Sequence, residues 1–253
     1  MITVKNISDY IDEIAPYKTK CDWDNCGILI GDSNAEVKKI GFALDLTSET
    51  LENAKKNGVD LIITHHPIIF KAQKNFLKGN MAFELAESKI NAVSAHTCFD
   101  CAKGGVNDVL CEILELKDCV GIESAECVLP MARIGKTVET SPESFAKFVA
   151  EKLCTTIRFI EGSGKIKKVA VCGGAGMSFL DEVIGAGADA YVTGDISHHE
   201  MLDAREKGIT VVAAGHFETE NPAMKALEKI IKKRFPELKT VLLFQSNPVR
   251  FIG

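Results

Sequence analysis

A gapless internal repeat constrains this 253-residue chain more than any other feature. The segment KKIGFALDLTSETLENAKKNGVDLIIT, beginning at Lys38, lies over KKVAVCGGAGMSFLDEVIGAGADAYVT, beginning at Lys167. Lys38 and Lys39 meet Lys167 and Lys168, Leu51 meets Leu180, Gly58 meets Gly187, Asp60 meets Asp189 and Thr64 meets Thr193. Each copy reads as strand, helix and strand: a short apolar run, a segment of helical period closed by glycine, and a second apolar run. Repetition of a whole unit of this kind predicts an α/β protein of two related halves. The likeness continues downstream. NAVSAHTCFD carries His96, three residues and Asp100, and TVVAAGHFETE carries His216, three residues and Glu220.

The intervening segments suit the same class. ISDYIDEIAP predicts a first helix stopped by Pro16, and SETLENAKKNG a helix capped by Thr47 or Ser48 and ended at Gly58. MAFELAESKI and the stretch from Asn107 to Leu116 read as helices, and SPESFAKFVAEKL as a helix opened by Ser141 with Pro142 in its first turn. CVLPMARIGKTVE reads as strand or irregular structure.

Composition narrows the class further. At 46% hydrophobic and 26% charged, with a formal net charge of -5, the chain has the balance of a globular protein. No apolar run approaches the ~20 residues needed to span a bilayer, and the start MITVKNISDYIDEIAP lacks the basic-then-apolar order of a secretion signal, so a cytoplasmic protein without membrane contact is expected. Nine cysteines without regular spacing predict thiols rather than a disulfide framework. The only basic block is KKR at Lys232 to Arg234, so charge does not support a nucleic-acid surface, although a local patch on an oligomer stays open.

LIITHHPIIF, from Leu61 to Phe70, raises the chemical question. Successive side chains of a buried strand point to opposite faces, so His65 and His66 belong together only at its end. His65, His66, His96, Asp100, His216 and Glu220 all fall at or just beyond the carboxyl ends of predicted strands, the edge where open α/β sheets bind ligands. Pro67 restricts His66 to an extended conformation, from which the two imidazoles can address neighbouring ions. Imidazole and carboxylate donors suit zinc, iron, manganese, cobalt or nickel, and a carboxylate can bridge two such ions. The residues therefore point to a dinuclear metal site. For His-His-Pro alone, a turn with one solvated histidine is the competing explanation.

WDNCGILIG (Trp23 to Gly31), ALDLT, ITHHP, SAHTCFD, CGGAG (Cys172 to Gly176), TGDISHHE and GHFETE occur in an order that resembles the Nif-three-like family, also called GTP cyclohydrolase I type 2 homologues. The resemblance spans nearly the whole chain. It implies two α/β domains with the metal site in the cleft between them, two divalent metal ions per chain, and a toroidal homohexamer. By motif it assigns the metal ligands His65, His66, Asp100, His216 and Glu220, with Glu220 bridging, His66 and Asp100 on one ion, and His65 and His216 on the other. Cys98, Phe99 and Glu218 depart from the family pattern at positions that are not ligands. The expected lobes are residues 1–125 plus 240–253, and residues 126–239.

Other motifs carry open alternatives. His96 is expected beside the metal ligands as an orienting group or a proton carrier, or as a structural histidine. Gly194, Asp195, His198 and His199 occupy the second half's counterpart of ITHHP, where Asp195 and His199 either bind substrate or belong to a helix start capped by Asp195. CGGAG permits close approach of a phosphate or of another backbone segment. Cys98 and Cys101 form CxxC, with no second pair at zinc-site spacing. Two functions remain in view: a metal-dependent hydrolase of a small phosphate- or nucleotide-type substrate, and a hexameric metal-binding scaffold or regulatory protein without catalysis.

Overall fold

The computed structural model describes residues 1–124 and 127–250. In chain order its leading elements are α1 (Val4–Ile14), β1 (Gly27–Ile30), β2 (Lys39–Ala43), α2 (Ser48–Asn57), β3 (Leu61–Thr64), α3 (Met81–Glu87), β4 (Asn91–Ser94) and α4 (Thr97–Cys101). There follow α5 (Val106–Ile113), β5 (Lys117–Ile122), β6 (Ala132–Thr140), α6 (Pro142–Leu153), β7 (Arg158–Ile160), β8 (Ile166–Cys172), α7 (Leu180–Gly185), β9 (Ala190–Thr193), α8 (His198–Glu206) and β10 (Thr210–Ala213). α9 (His216–Arg234) and β11 (Lys239–Leu242) complete the order. No described helix is long and apolar enough to cross a membrane.

The chain divides into two compact units, Met1–Lys103 with Met224–Pro248, and Gly104–Ala223 with Val249–Gly253. The lobe boundary expected between residues 125 and 126 lies outside the described residues. Gly104 onward joins the second unit because α5 buries Leu110 and Cys111 in one core with Val169 and Val171 of β8. The end of α9 joins the first unit, where Phe235 meets Tyr10 of α1 edge-on at 5.7 Å.

The first unit holds a five-stranded sheet in the order β1-β4-β3-β2-β11, parallel except for β1. The second holds a six-stranded sheet in the order β5-β6-β8-β9-β10-β7, in which β8, β9 and β10 are parallel. Every residue of β3, β4, β9 and β10 is buried, as expected of central parallel strands covered on both faces.

The repeat is visible in the hydrogen bonds. Ile40 pairs with Leu61 across β2 and β3, and their repeat counterparts Val169 and Ala190 pair across β8 and β9. Asp60 Oδ2 accepts from Lys38 N and Lys39 N at 2.8 and 2.9 Å, and Asp189 Oδ2 accepts from Lys167 N and Lys168 N at 2.9 and 2.8 Å. One carboxylate thus satisfies two successive amides near the start of a strand in each half. Local signals hold as well: Thr47 caps α2, left-handed Gly58 closes it, and Ser141 caps α6 ahead of Pro142. The copies differ in the helix, where α7 is preceded by a 3₁₀ turn at Gly176–Phe179 and is shorter than α2.

Candidate metal centre

In the first unit the residues after β3 prolong its ladder. His65 N donates to Ala43 O at 3.3 Å and His66 N to Leu44 O at 3.0 Å, while Thr64 Oγ1 donates to His66 O at 2.8 Å. The two imidazoles therefore leave the sheet edge from a fixed backbone, with centroids 5.1 Å apart. His96, after β4, brings a third ring to 5.0 Å from His65 and 5.4 Å from His66. One ring nitrogen from each of these three histidines lies within 4.8 Å of the others. Asp100 enters because α4 starts directly after His96, so a spacing of four residues becomes one helical turn. Its Oδ1 stands 3.5 Å from Nε2 of the buried His65.

The orientation of each ring is set from behind. His65 Nδ1 lies 2.9 Å from the Ala95 carbonyl oxygen; a carbonyl only accepts, so Nδ1 carries the proton and Nε2 keeps its lone pair. His66 Nδ1 lies 2.6 Å from Asp45 Oδ1, and Gln245 Nε2 donates to the other oxygen of Asp45 at 2.6 Å. His96 Nδ1 lies 2.9 Å from Asp24 Oδ1. Asp24 Oδ2 accepts from Thr97 N at 3.0 Å and from Thr97 Oγ1 at 2.5 Å. Burial alone would raise the Asp24 pKa, but these bonds and the neighbouring imidazole outweigh it and hold the carboxyl well below the usual range.

The second unit carries the corresponding arrangement. α9 opens at His216, directly after Gly215, whose φ of 92° turns the chain, and Glu220 follows one helical turn later. His216 Nε2 lies 3.1 Å from Oε2 of the buried Glu220, and His216 Nδ1 lies 2.7 Å from Asp195 Oδ2. Burial would lower the His216 pKa, yet Asp195 and Glu220 prevail and raise it to about 10. Asp195 is held below its ordinary value, chiefly by its hydrogen bond to His216.

Glycines make room for Glu220. A Cβ on Gly174, whose φ is 61°, would stand 2.1 Å from Glu220 Oε1 and 3.1 Å from His216 Nε2. The CGGAG motif thus accommodates a carboxylate of this chain, and Gly194, which a Cβ would bring to 2.7 Å from Gly174 O, accommodates the backbone. Thr219 Oγ1 accepts from Gly174 N at 3.0 Å, which fixes the glycine turn to α9.

Asp195 does not cap α8. Ser197 does, in a capping box with Glu200, because Asp195 is turned to His216 instead. His198 and His199 lie exposed on the first turn of α8, with rings 5.9 Å apart, and neither joins a group of metal donors among the described residues. Cys98 Sγ lies 3.6 Å from Cys26 Sγ, and the cysteines are thiols. The contact with Cys26, and then burial, push the Cys98 thiol far up.

The His65, His66 and His96 nitrogens of the first unit, and the His216 and Glu220 donors of the second, are of the kind that could hold a divalent metal ion. Asp45 and Gln245 are the residues behind this histidine cluster that sequence reasoning missed. Asp45 had one signal, its place two residues beyond the end of β2 at the same sheet edge; Gln245 had none.

A family profile described as Duf34/NIF3 (NGG1p interacting factor 3) matches residues 2–248. A GTP cyclohydrolase 1 type 2 homolog of Clostridium perfringens is 33% identical over 241 residues, covering 91% of this chain and 92% of the relative. Another, from Methanocaldococcus jannaschii, is 31% identical over 236 residues, covering 90% and 93%. The crystal structure of Staphylococcus aureus hypothetical protein SA1388 matches with a TM-score of 0.91 and 26% identity over 99% of each chain. Reduced HcgD from Methanocaldococcus jannaschii matches with a TM-score of 0.83 and 30% identity over 96% of this chain and 98% of that one.

Proposed function

Because the chain belongs to the Duf34/NIF3 family, we propose that it is a dinuclear metal-dependent hydrolase acting on a phosphate- or nucleotide-type substrate. His65, His66, Asp100, His216 and Glu220 would hold two divalent ions per chain, and the Glu220 carboxylate would offer its two oxygens and its negative charge to the pair. The observation that carries this reading is common to His65, His66 and His216: each has Nδ1 engaged by a carbonyl or carboxylate, which gives Nε2 the metal-facing role. Names of the relatives support a nucleotide-type substrate. The reading includes a cytoplasmic homohexamer, which native mass measurement tests.

When bound, two such ions supply Lewis-acid activation of the substrate and of the attacking water. The protein's own part is positional and protonic. Asp45 and Asp195 keep His66 and His216 in one ring orientation, and Asp100 and Glu220 contribute negative charge against the repulsion of two dications. His96, backed by the buried Asp24, can take or give a proton at Nε2 and is the candidate acid–base group.

The test is a screen of phosphoesters and purine nucleotides with native protein, chelator-stripped protein and protein reloaded with metal. Turnover that disappears on stripping and returns on reloading is expected. Undiminished turnover by stripped protein contradicts the proposal, and metal-loaded protein inert across the screen transfers the site to the scaffold reading.

A further inference from the structure

The loop that carries Asp24 also carries Trp23, an indole left 59% exposed, and Phe70, 45% exposed, lies against it with ring centroids 5.6 Å apart. Both rings approach His96, at 5.9 and 6.2 Å. Large aromatic side chains left in water beside a cluster of functional groups mark a place where something binds.

This surface is braced from beneath. Asp24 is tied to His96 and Thr97, Cys21 N donates to Thr97 Oγ1 at 2.9 Å, and Asn25 Nδ2 donates to the Ile69 carbonyl at 2.7 Å. The last bond joins the Trp23 loop to the segment bearing Phe70. Aromatic side chains presented on a braced loop lose little conformational freedom on binding, so their contact area converts efficiently into affinity. Their planes meet at 51°, so a flat group laid on the face of the indole meets Phe70 at its edge, and the two rings together offer two walls of contact to a planar ring.

We infer that Trp23 and Phe70 form an aromatic platform, one ring stacked and the other edge-on, for a planar, purine-type ring of the substrate, placed beside His96 and the histidine cluster. The inference rests on the hydrolase reading for the phosphate end of that ligand, and on the aromatic geometry alone for the ring. A ring-bearing ligand is thereby distinguished from a sugar phosphate of equal charge.

Trp23 is the chain's only tryptophan, so its emission reports this site directly. Full-length protein, stripped and metal-loaded, is titrated with guanosine monophosphate and with ribose 5-phosphate, with excitation at the red edge where guanine does not absorb. Saturable quenching by the nucleotide in both forms, and none by ribose 5-phosphate, is expected. Loss of one of the two aromatic contacts in Phe70→Ala should weaken nucleotide binding by at least about fivefold. By calorimetry Trp23→Phe should retain binding and Trp23→Ala should lose it. Equal response to both ligands, no response to either, emission that changes only with protein concentration, or unchanged binding by Phe70→Ala overturns the platform. Ring-dependent quenching without any hydrolysis leaves the platform standing while the hydrolase reading fails; hydrolysis indifferent to Trp23→Ala does the reverse.

Discussion

Asp45 Oδ1 stands 2.6 Å from His66 Nδ1, and the carboxylate is gripped on its other oxygen by Gln245, from the far end of the chain. A residue just past the end of β2 and a residue in the C-terminal segment thus jointly fix one imidazole. Removing such an orienting partner from a metal ligand costs about 10–100-fold in metal affinity. Asp45→Asn should show that loss in a competitive chelator titration while unfolding at nearly the same denaturant concentration as wild type without metal. An unchanged affinity would remove Asp45 from the account.

Gly174 and Gly58 both sit at a φ of 61°, but only Gly174 faces a carboxylate. Alanine at either position takes on left-handed strain of about 1–2 kcal/mol. Gly58→Ala has no neighbour within 4 Å and should lose stability alone. Gly174→Ala would bring its Cβ to 2.1 Å from Glu220 Oε1, so it should lose metal as well. Equal metal retention by both variants would show that the position of Glu220 does not matter.

His216 supplies a pH dependence with a definite sign. Its pKa in the folded metal-free protein is raised to about 10 from an ordinary 6.5. The folded state therefore binds more protons between these values. The resulting stability is fully present below pH 6.5 and is lost as pH rises through 10. Denaturant melts of stripped protein should show this loss, reduced by salt and absent in His216→Ala. Metal binding within the same window should release a proton to the buffer, measurable by calorimetry in buffers of different ionisation enthalpy.

The central parallel strands were legible in the sequence because burial on both faces makes them continuous apolar runs, as in LIIT and AYVT. The strands missed, β1, β5, β7 and β11, are the edges of the two sheets. They are only partly buried, so neither apolar continuity nor strict alternation marks them; β5 is exposed at every residue but Ile122. Paired spacing showed His96 with Asp100 and His216 with Glu220, but not its helical cause, since α4 and α9 begin only where the strand patterns stop. Gln245 was invisible because its role arises from a tertiary contact 200 residues away. Asp195 was read either as a substrate-binding group or as a cap because it precedes a helix, and the imidazole of His216 took its carboxylate from the capping task.

Sulfur takes no part in the proposed centre. Cys98→Ser and Cys101→Ser should each bind wild-type amounts of metal, as read by elemental analysis. A large loss in either variant would require a thiolate ligand.

The most direct measurement of the central claim is metal content per chain in wild type and in Glu220→Gln. Glutamine keeps the shape of the side chain but removes the negative charge that offsets two neighbouring dications. The account predicts two divalent ions per wild-type chain and the loss of at least one in the variant, with the fold intact by circular dichroism. Full occupancy in Glu220→Gln would contradict it.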